Sequence, residues 1–215
     1  MIANLWRYAP HVPSARIRIA TAVAAVLIVA AVGSAIAFGV FGGGRGDDYS
    51  GALLSAEVPI REFSLSDETG KSISLESVRG GPSLLTFLFT KCPDFCPLTA
   101  QQIRGALDQS GVSIPVIAIS VDPGGDTPAR VRAWLEEQRM EGRMHWGLGD
   151  SATLEKVWKD YAVLGQSATS DHSTYVFLLD RDGRRCVSWP VTHLTPEGLA
   201  HDLKLIDTRG GRCRA

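Results

Sequence analysis

Two of the four cysteines lie close together, in the segment TKCPDFCP at residues 90–97. Cys92 and Cys96 are four residues apart, a spacing that puts both side chains on one face of a helical turn and lets two sulfurs converge on one metal ion. The spacing is one residue longer than the Cys-x-x-Cys of thioredoxin-type redox pairs. It therefore favours a metal over an easily cycled disulfide, without excluding a redox-active disulfide. A plain structural disulfide is the remaining alternative, since the chain is predicted below to be exported.

The elements around the cysteines predict thiolate chemistry. Residues 84–89 read LLTFLF, a continuous apolar run typical of a strand buried on both faces, and the segment after Pro97 predicts a helix that ends at Gly111. Cysteines between a strand end and a helix amino terminus lie where the helix dipole favours thiolate over thiol. Thiolate is the form that binds metal or attacks a disulfide.

A third ligand is predicted at His172, in the segment SDHSTYVFLLD, directly before a predicted strand at residues 174–180. In a thioredoxin-like fold the residue before this strand faces the cysteine loop, where redox enzymes carry a cis-proline. This chain has no proline between Pro128 and Pro190. The alternative for His172 is an ordinary surface-loop histidine. The other histidines lie before the predicted membrane span or in segments with no evident link to the cysteines: His11, His145, His193 and His201.

The order of predicted elements indicates an α/β protein of thioredoxin-like fold with an amino-terminal β-hairpin, its sheet covered on both faces. The hairpin is predicted within residues 63–75, because apolar and polar residues alternate on either side of Asp67-Glu68-Thr69-Gly70. Further strands are predicted at residues 112–119 and 186–189, and helices at 127–141, 151–164 and 195–207.

Four segments in this order resemble the Sco/SenC family of membrane-anchored copper-binding proteins: TKCPDFCP, SVDPGGDTPARVRAW, VWKDYAVLG and DHSTYVFLLDRDG. The resemblance covers residues 57–207. It implies one copper ion bound by Cys92, Cys96 and His172. It also implies delivery of copper to the dinuclear copper site of cytochrome c oxidase, or reduction of the cysteines of that site. The partner expected is the copper-bearing oxidase subunit or another copper chaperone.

The ligand set itself favours copper. Two soft thiolates and one imidazole suit three-coordinate Cu(I), and Cu(II) with an added weak ligand is a second option. Structural zinc would want a fourth protein ligand. The sequence thus favours a metallochaperone over a turnover enzyme. A thiol-disulfide oxidoreductase that uses the Cys92/Cys96 pair, and a copper or redox sensor, are the alternatives.

Four aspartates near the predicted site are candidates for supporting roles. Asp171 is placed to orient His172, because a ligating imidazole usually donates its other N–H group. Asp94 lies between the cysteines and either tunes their charge or simply shapes the loop. Asp122 and Asp126, in VDPGGDTP, are interpreted as structural residues at the start of a helix rather than as a hard-metal or acid–base pair.

Cys186 and Cys213 depart from the family pattern. They either pair in an oxidising compartment, which would join the arginine-rich tail RGGRCRA to the last hairpin, or leave Cys213 as an exposed thiol. The loop GQSATSD at residues 165–171 is short and polar, which bears on how closely His172 is gated.

The amino-terminal part predicts a membrane anchor. Residues 19–41 form a 23-residue run without a charge, long enough to cross a hydrocarbon layer of about 30 Å. The 18 residues before this run carry three arginines and no acid, so the positive-inside rule puts the amino terminus in the cytoplasm. A signal peptide cleaved near Ala35-Ile36-Ala37 is the alternative. The predicted divisions are a leader (1–18), an anchor (19–41), a flexible tether (42–57) and a copper-binding domain (58–215).

The charge distribution separates the two parts of the chain. Four of its 22 basic residues and none of its 23 acidic residues precede Asp47, so the remainder carries a net charge of −5. A mildly acidic domain without a basic stripe argues against nucleic-acid binding. The expected location is the inner membrane, with the domain on the periplasmic side, where thiols can be oxidised.

Overall fold

The computed structural model describes residues 48–163 and 175–214, together with Val23, Ala24 and Leu27, which are helical. The chain divides into two compact units, Met1–Asp48 and Tyr49–Ala215. Apart from the three helical residues, the predicted leader and anchor lie outside the described residues. Within the part of the chain that is described, no helix is both long and apolar enough to span a membrane.

Residues 49–163 and 175–214 form eight strands, four α-helices and one short 3-10 helix at Glu76–Val78. The strands are Ala52–Leu53 (β1), Ser64–Ser66 (β2), Ser72–Ser74 (β3), Ser83–Leu88 (β4), Val116–Ser120 (β5), Met144–Gly147 (β6), Tyr175–Leu179 (β7) and Arg185–Pro190 (β8). The α-helices are Phe95–Ser110 (α1), Pro128–Gln138 (α2), Ser151–Tyr161 (α3) and Pro196–Thr208 (α4).

Six strands form one sheet in the order β1-β8-β7-β4-β5-β6, and β2 and β3 form a separate hairpin. Strands β4, β5 and β6 are parallel, whereas β7, β8 and β1 pair antiparallel. Every residue of β4 and β5 is buried. Because successive side chains of a strand point to opposite faces, the centre of this sheet is covered on both sides, as the apolar runs predicted.

The predicted amino-terminal hairpin is confirmed and is attached to the sheet. Leu65 and Ile73 are opposite each other in the β2–β3 pair, and both side chains are buried. Ser66 and Leu148 exchange two backbone hydrogen bonds of 3.2 and 2.7 Å. The hairpin is therefore fixed beside the end of β6, and its turn lies close to that strand.

The folded unit begins earlier than the predicted boundary at Val58. Ala52 and Leu53, assigned above to the flexible tether, pair with Ser188 and Val187 of β8. The Asp202 carboxylate, fully buried, accepts hydrogen bonds from the Ser50 and Gly51 N–H groups at 2.6 and 3.0 Å. A Cβ at Gly51 would lie 2.4 Å from Trp189 Nε1, so this edge needs a glycine. The compact unit accordingly starts at Tyr49.

Three helices, α2, α3 and α4, begin where the sequence predicted. Thr127 and Thr195 cap α2 and α4, each accepting a backbone N–H hydrogen bond, and a proline follows each cap. Helix α2 ends at Gln138 rather than near Glu141, because Arg139 takes a left-handed conformation with φ of 57°. The chain then forms β6, an edge strand of four residues that the sequence pattern did not indicate.

The two cysteines outside the predicted metal site form a disulfide. Cys186 lies in β8 and Cys213 near the carboxyl terminus, with their Cα atoms 5.3 Å apart. Of the two alternatives left by the sequence, pairing is therefore the one observed. The bond joins the tail that follows α4 to the antiparallel half of the sheet.

Candidate metal centre

The cysteines lie at the carboxyl edge of the sheet, as expected. Strand β4 is flanked by β5 and β7, and the chain leaves it at Leu88 to form a short loop that contains Cys92. Cys96 lies in the first turn of α1. Both side chains are buried, Cys96 to 1% exposure. The central strand thus determines where the first sulfur lies, and the helix amino terminus determines the second.

Cys92 and Cys96 are present as thiols rather than as a disulfide. The backbone N–H group of Cys96 donates a hydrogen bond of 3.2 Å to Cys92 Sγ. The hydrogen bond between the two thiol groups, together with burial, raises the pKa of the Cys96 thiol above its ordinary value. Cys92 Sγ is therefore the sulfur that accepts hydrogen bonds in this pair. Cys96 keeps its proton until a metal ion or another electrophile takes the place of that proton on the sulfur.

A buried carboxylate holds the start of the cysteine loop. Asp126 Oδ1 accepts hydrogen bonds from the Thr90 N–H and hydroxyl groups at 2.8 and 2.7 Å. Asp126 Oδ2 accepts one from the Ser120 hydroxyl at 2.6 Å. Burial raises the pKa of Asp126 despite these hydrogen bonds. Asp126 thus links the end of β5 to the loop after β4. It does so at Thr90, which lies two residues before Cys92.

The structural interpretation of the aspartate pair is supported, with a more specific role for Asp126 than a helix start. Thr127, not Asp126, caps α2. Asp122 Oδ1 accepts the Gly125 N–H group at 2.9 Å, and a Cβ at Gly125 would lie 1.9 Å from Asp122 Oδ2. The turn therefore needs glycine at Gly125 for close approach. Sequence spacing could not show that Asp126 reaches Thr90, 36 residues earlier.

The first turn of α1 presents apolar side chains to solvent beside the cysteines. Phe95 and Leu98 are 50% and 49% exposed, although large apolar side chains are usually buried. Asp94 is the N-cap residue of α1, which lies entirely within the residues described, but its side chain accepts no hydrogen bond from the N–H groups of this helix. The surface around the thiols is therefore apolar on the helix side, a feature that the motif alone did not indicate.

His172 and Asp171 lie outside the described residues. Tyr175, the first residue of β7, lies next to the cysteine edge, because its carbonyl accepts a 3.0 Å hydrogen bond from the Thr86 hydroxyl of β4. His172 precedes Tyr175 by three residues in the sequence. Ligation by His172, and its orientation by Asp171, stay predictions.

Two of the other histidines have polar partners of their own. His145 Nδ1 lies 3.1 Å from Glu68 Oε1, and His201 Nδ1 lies 3.1 Å from Asp202 Oδ1. His193 is exposed. The structure thus brings together Cys92 and Cys96, and gives His145 and His201 other surroundings.

A mixed sheet packed against helices, with one cysteine after its central strand and a second in the first turn of the following helix, defines a protein of thioredoxin-like fold. The SCO1/SenC family model matches residues 53–206. The chain belongs to the SCO1/SenC family.

Relatives and solved structures agree with this assignment. A SCO2-like protein of Rickettsia prowazekii is 30% identical over 135 residues, which cover 57% of this chain and 64% of that protein. The match therefore spans slightly less than two thirds of that relative. The structure of Bradyrhizobium japonicum ScoI with copper bound is 34% identical, with a TM-score of 0.58, and the match covers 67% of this chain and 97% of that one. Arabidopsis thaliana ScoI with copper bound is 26% identical, with a TM-score of 0.60 over 69% and 98% of the two chains.

Proposed function

We propose that this protein is a copper metallochaperone that binds one copper ion through Cys92, Cys96 and His172. The observation that carries the proposal is the buried, hydrogen-bonded cysteine pair at the end of β4, in a chain that belongs to the SCO1/SenC family. The related Bradyrhizobium ScoI has been solved with copper bound. Soft thiolate ligands favour Cu(I), and an imidazole also suits copper.

Loading Cu(I) requires the Cys96 proton to leave. The hydrogen bond with Cys92 and burial both favour the protonated Cys96 thiol in the metal-free protein. Cys92 Sγ, which already accepts the Cys96 N–H group, is the sulfur better prepared to make the first bond to the ion. Both thiols lose their protons to solvent when they bind the ion as thiolates, the Cys96 proton last, so copper uptake releases protons.

Delivery proceeds by ligand exchange with the acceptor's thiolates. The acceptor proposed is the copper-bearing subunit of cytochrome c oxidase or another copper chaperone. The exposed Phe95 and Leu98 lie on the helix side of the cysteines and form an apolar surface that an acceptor can cover, which would exclude water during exchange. A membrane anchor at residues 19–41, with the domain on the periplasmic side, would keep donor and membrane-bound acceptor at high effective concentration.

A Cu(I) competition titration of the reduced full chain against a chromophoric chelator tests this proposal. We expect about one copper ion per chain. Copper should bind at least tenfold more weakly in His172→Ala, because that variant keeps the two thiolates but lacks the third ligand. His193→Ala, which alters an exposed histidine, is the matched control and should bind as the parent chain does. Unchanged affinity in His172→Ala would overturn the proposed ligand set.

The same cysteines also support a second candidate, thiol-disulfide oxidoreduction, because both are thiols and the Cys96 N–H group is hydrogen-bonded to Cys92 Sγ. Cys92 thiolate would attack an acceptor disulfide and release one acceptor thiolate. Cys96, after losing its proton, would then attack Cys92 Sγ and release the second acceptor thiol. The result is a Cys92–Cys96 disulfide and a reduced acceptor, with an extracytoplasmic dithiol needed to restore the pair.

The two candidates differ in their need for His172. Reduction of an acceptor disulfide uses only the cysteine pair, so it should survive His172→Ala and be lost in Cys92→Ser. Reductase activity that persists in His172→Ala while copper binding is lost would show that the two functions are separable. If the reduced parent chain does not reduce an acceptor disulfide, thiol-disulfide oxidoreduction is excluded as a function.

A further inference from the structure

A second group of metal-ligating side chains lies in the hairpin region, at a distance along the sheet from the cysteines. Asp67 and Glu68 occupy the turn after β2, and His145 lies in β6 opposite Ile117, near the amino end of β5. One ligand atom from each of the three side chains lies within 4.8 Å of the other two. Since Cys92 follows the carboxyl end of β4, which runs parallel to β5, this group is separate from the copper site.

Each carboxylate of this group has one oxygen held in place and one oxygen directed at His145. Asp67 Oδ1 accepts hydrogen bonds from the Thr69 N–H, the Thr69 hydroxyl and the Lys71 N–H groups, at 2.7–2.9 Å. Its Oδ2 lies 3.9 Å from His145 Nδ1 and accepts no hydrogen bond from the residues described. Glu68 Oε2 accepts the Trp146 N–H group at 2.8 Å, which leaves Oε1 3.1 Å from the same Nδ1.

The two separations from His145 Nδ1 to the carboxylate oxygens fit a shared ion. Ligand atoms bound to one zinc-like ion at about 2.0–2.2 Å lie roughly 3–4 Å from one another. The observed 3.1 and 3.9 Å from Nδ1 to the two carboxylate oxygens fall in that range. Metal-binding carboxylates typically have hydrogen-bond partners of their own, as the second oxygens of Asp67 and Glu68 do here.

The charge balance also favours a cation. Asp67 and Glu68 are 6% and 5% exposed, and in the described part of the chain His145 is the only basic side chain within ion-pair distance of either carboxylate. Arg132 approaches, but it donates to the Glu68 backbone carbonyl at 2.6 Å. Two buried carboxylates against one imidazole leave a net negative site.

The group is accessible. Asp67 and His145 line a cavity of about 760 Å³, and the His145 side chain is 43% exposed. An ion held by three protein ligands here would keep a position open to solvent, as in zinc sites with three protein ligands. Lys71 and Arg143 also line the cavity, and Arg143 pairs with Asp108 at 2.8 Å.

We propose that Asp67, Glu68 and His145 form a second metal site that binds a divalent cation of the zinc class. One imidazole and two carboxylates suit Zn²⁺ and Co²⁺, whereas Cu(I) prefers the softer cysteine pair. Because Asp67 and Glu68 belong to the hairpin and His145 to the sheet, the bound ion joins the hairpin to β6. The site does not depend on the proposed copper function.

The test is a Zn²⁺ titration of the full chain carrying Cys92→Ser and Cys96→Ser, which removes the thiol ligands. The His145 imidazole resonances should shift during the titration, and those of His193 should not. Added Zn²⁺ should also raise the melting temperature of the domain. His145→Gln and Asp67→Asn should each weaken Zn²⁺ binding at least tenfold, and His193→Gln should leave it unchanged.

Asp67→Asn retains an oxygen that can accept the hydrogen bonds in the turn, so it separates loss of the metal ligand from loss of the fold. His145 resonances that stay unshifted in the chain with both cysteines replaced by serine would overturn the proposal without any further variant. Equal Zn²⁺ affinity in the parent, His145→Gln and Asp67→Asn chains would do the same, and would identify the group as an internal ion pair only.

Discussion

Asp126 is expected to hold the start of the cysteine loop in place, so its replacement should lower the free energy of unfolding by an amount that its hydrogen bonds determine. Asp126→Ala removes the acceptor of three hydrogen bonds, two from Thr90 and one from Ser120. Stranding a buried donor costs about 1–3 kcal/mol. Since Ser120 is fully buried and Thr90 only partly so, the free energy of unfolding should fall by about 3 kcal/mol.

Asp126→Asn should behave differently. The amide oxygen can accept both Thr90 hydrogen bonds, and the Ser120 hydroxyl can rotate to accept from the amide nitrogen. The change also removes a buried charge, so the free energy of unfolding should stay within about 1 kcal/mol of the parent value. Asp94→Ala, at an N-cap residue whose side chain caps no helix N–H group in the part described, is the matched control.

The pH dependence of stability supplies a second readout. The folded-state pKa of Asp126 is raised, mainly by burial, so its ionised form opposes folding. The stability contributed by its protonated form is full below the ordinary carboxyl pKa and declines as the pH rises towards the folded value. Asp126→Asn should lose this part of the pH dependence.

Chemical and thermal denaturation of the full chain, with Cu(I) titration of the same samples, measure these effects. For a domain of this size a loss of about 3 kcal/mol lowers the melting temperature by about 6–12 °C. Because Thr90 is two residues from Cys92, Asp126→Ala should also weaken Cu(I) binding, and Asp126→Asn should not. Equal stability and equal copper affinity in the Ala and Asn variants would refute the assigned role.

Three further predictions follow from the same contacts. Cu(I) affinity should rise with pH, up to about tenfold per unit for each proton released, because hydrogen bonding to its partner thiol and burial raise the pKa of Cys96; competition titrations at several pH values would show this. Replacing Cys186 and Cys213 by serine should cost about 3.5 kcal/mol, since the disulfide closes a loop of 27 residues; denaturation with and without reductant would measure the loss, and equal stabilities would contradict it. Asp202→Ala should release residues 49–54 from β8, because the Asp202 carboxylate accepts hydrogen bonds from the Ser50 and Gly51 N–H groups. Amide exchange should become faster in residues 49–54 and stay unchanged in the central sheet.

The part of the fold that sequence could predict is the part with strong local patterns. The apolar run at residues 84–89 indicated the central strand, and Thr127-Pro128 and Thr195-Pro196 indicated helix starts, because burial on both faces and capping leave direct traces in the residue types. Strands β1 and β6 lack such traces. They are two and four residues long, and they exist because β8 and β5 offer them unpaired backbone edges.

The site divides in the same way. Cys92 and Cys96 were recognisable because their spacing and their place after a buried strand are local properties. The supporting hydrogen bonds from Asp126 to Thr90, and the approach of His145 to Asp67 and Glu68, join residues far apart in the sequence. Only the paired register of the strands brings these groups together.

X-ray absorption spectroscopy at the copper edge of the Cu(I)-loaded full chain tests the central claim most directly. Ligation by Cys92, Cys96 and His172 predicts two sulfur scatterers and one nitrogen scatterer, with the nitrogen contribution absent in His172→Ala. A copper environment of sulfur alone, or a nitrogen contribution that persists in His172→Ala, would contradict the account.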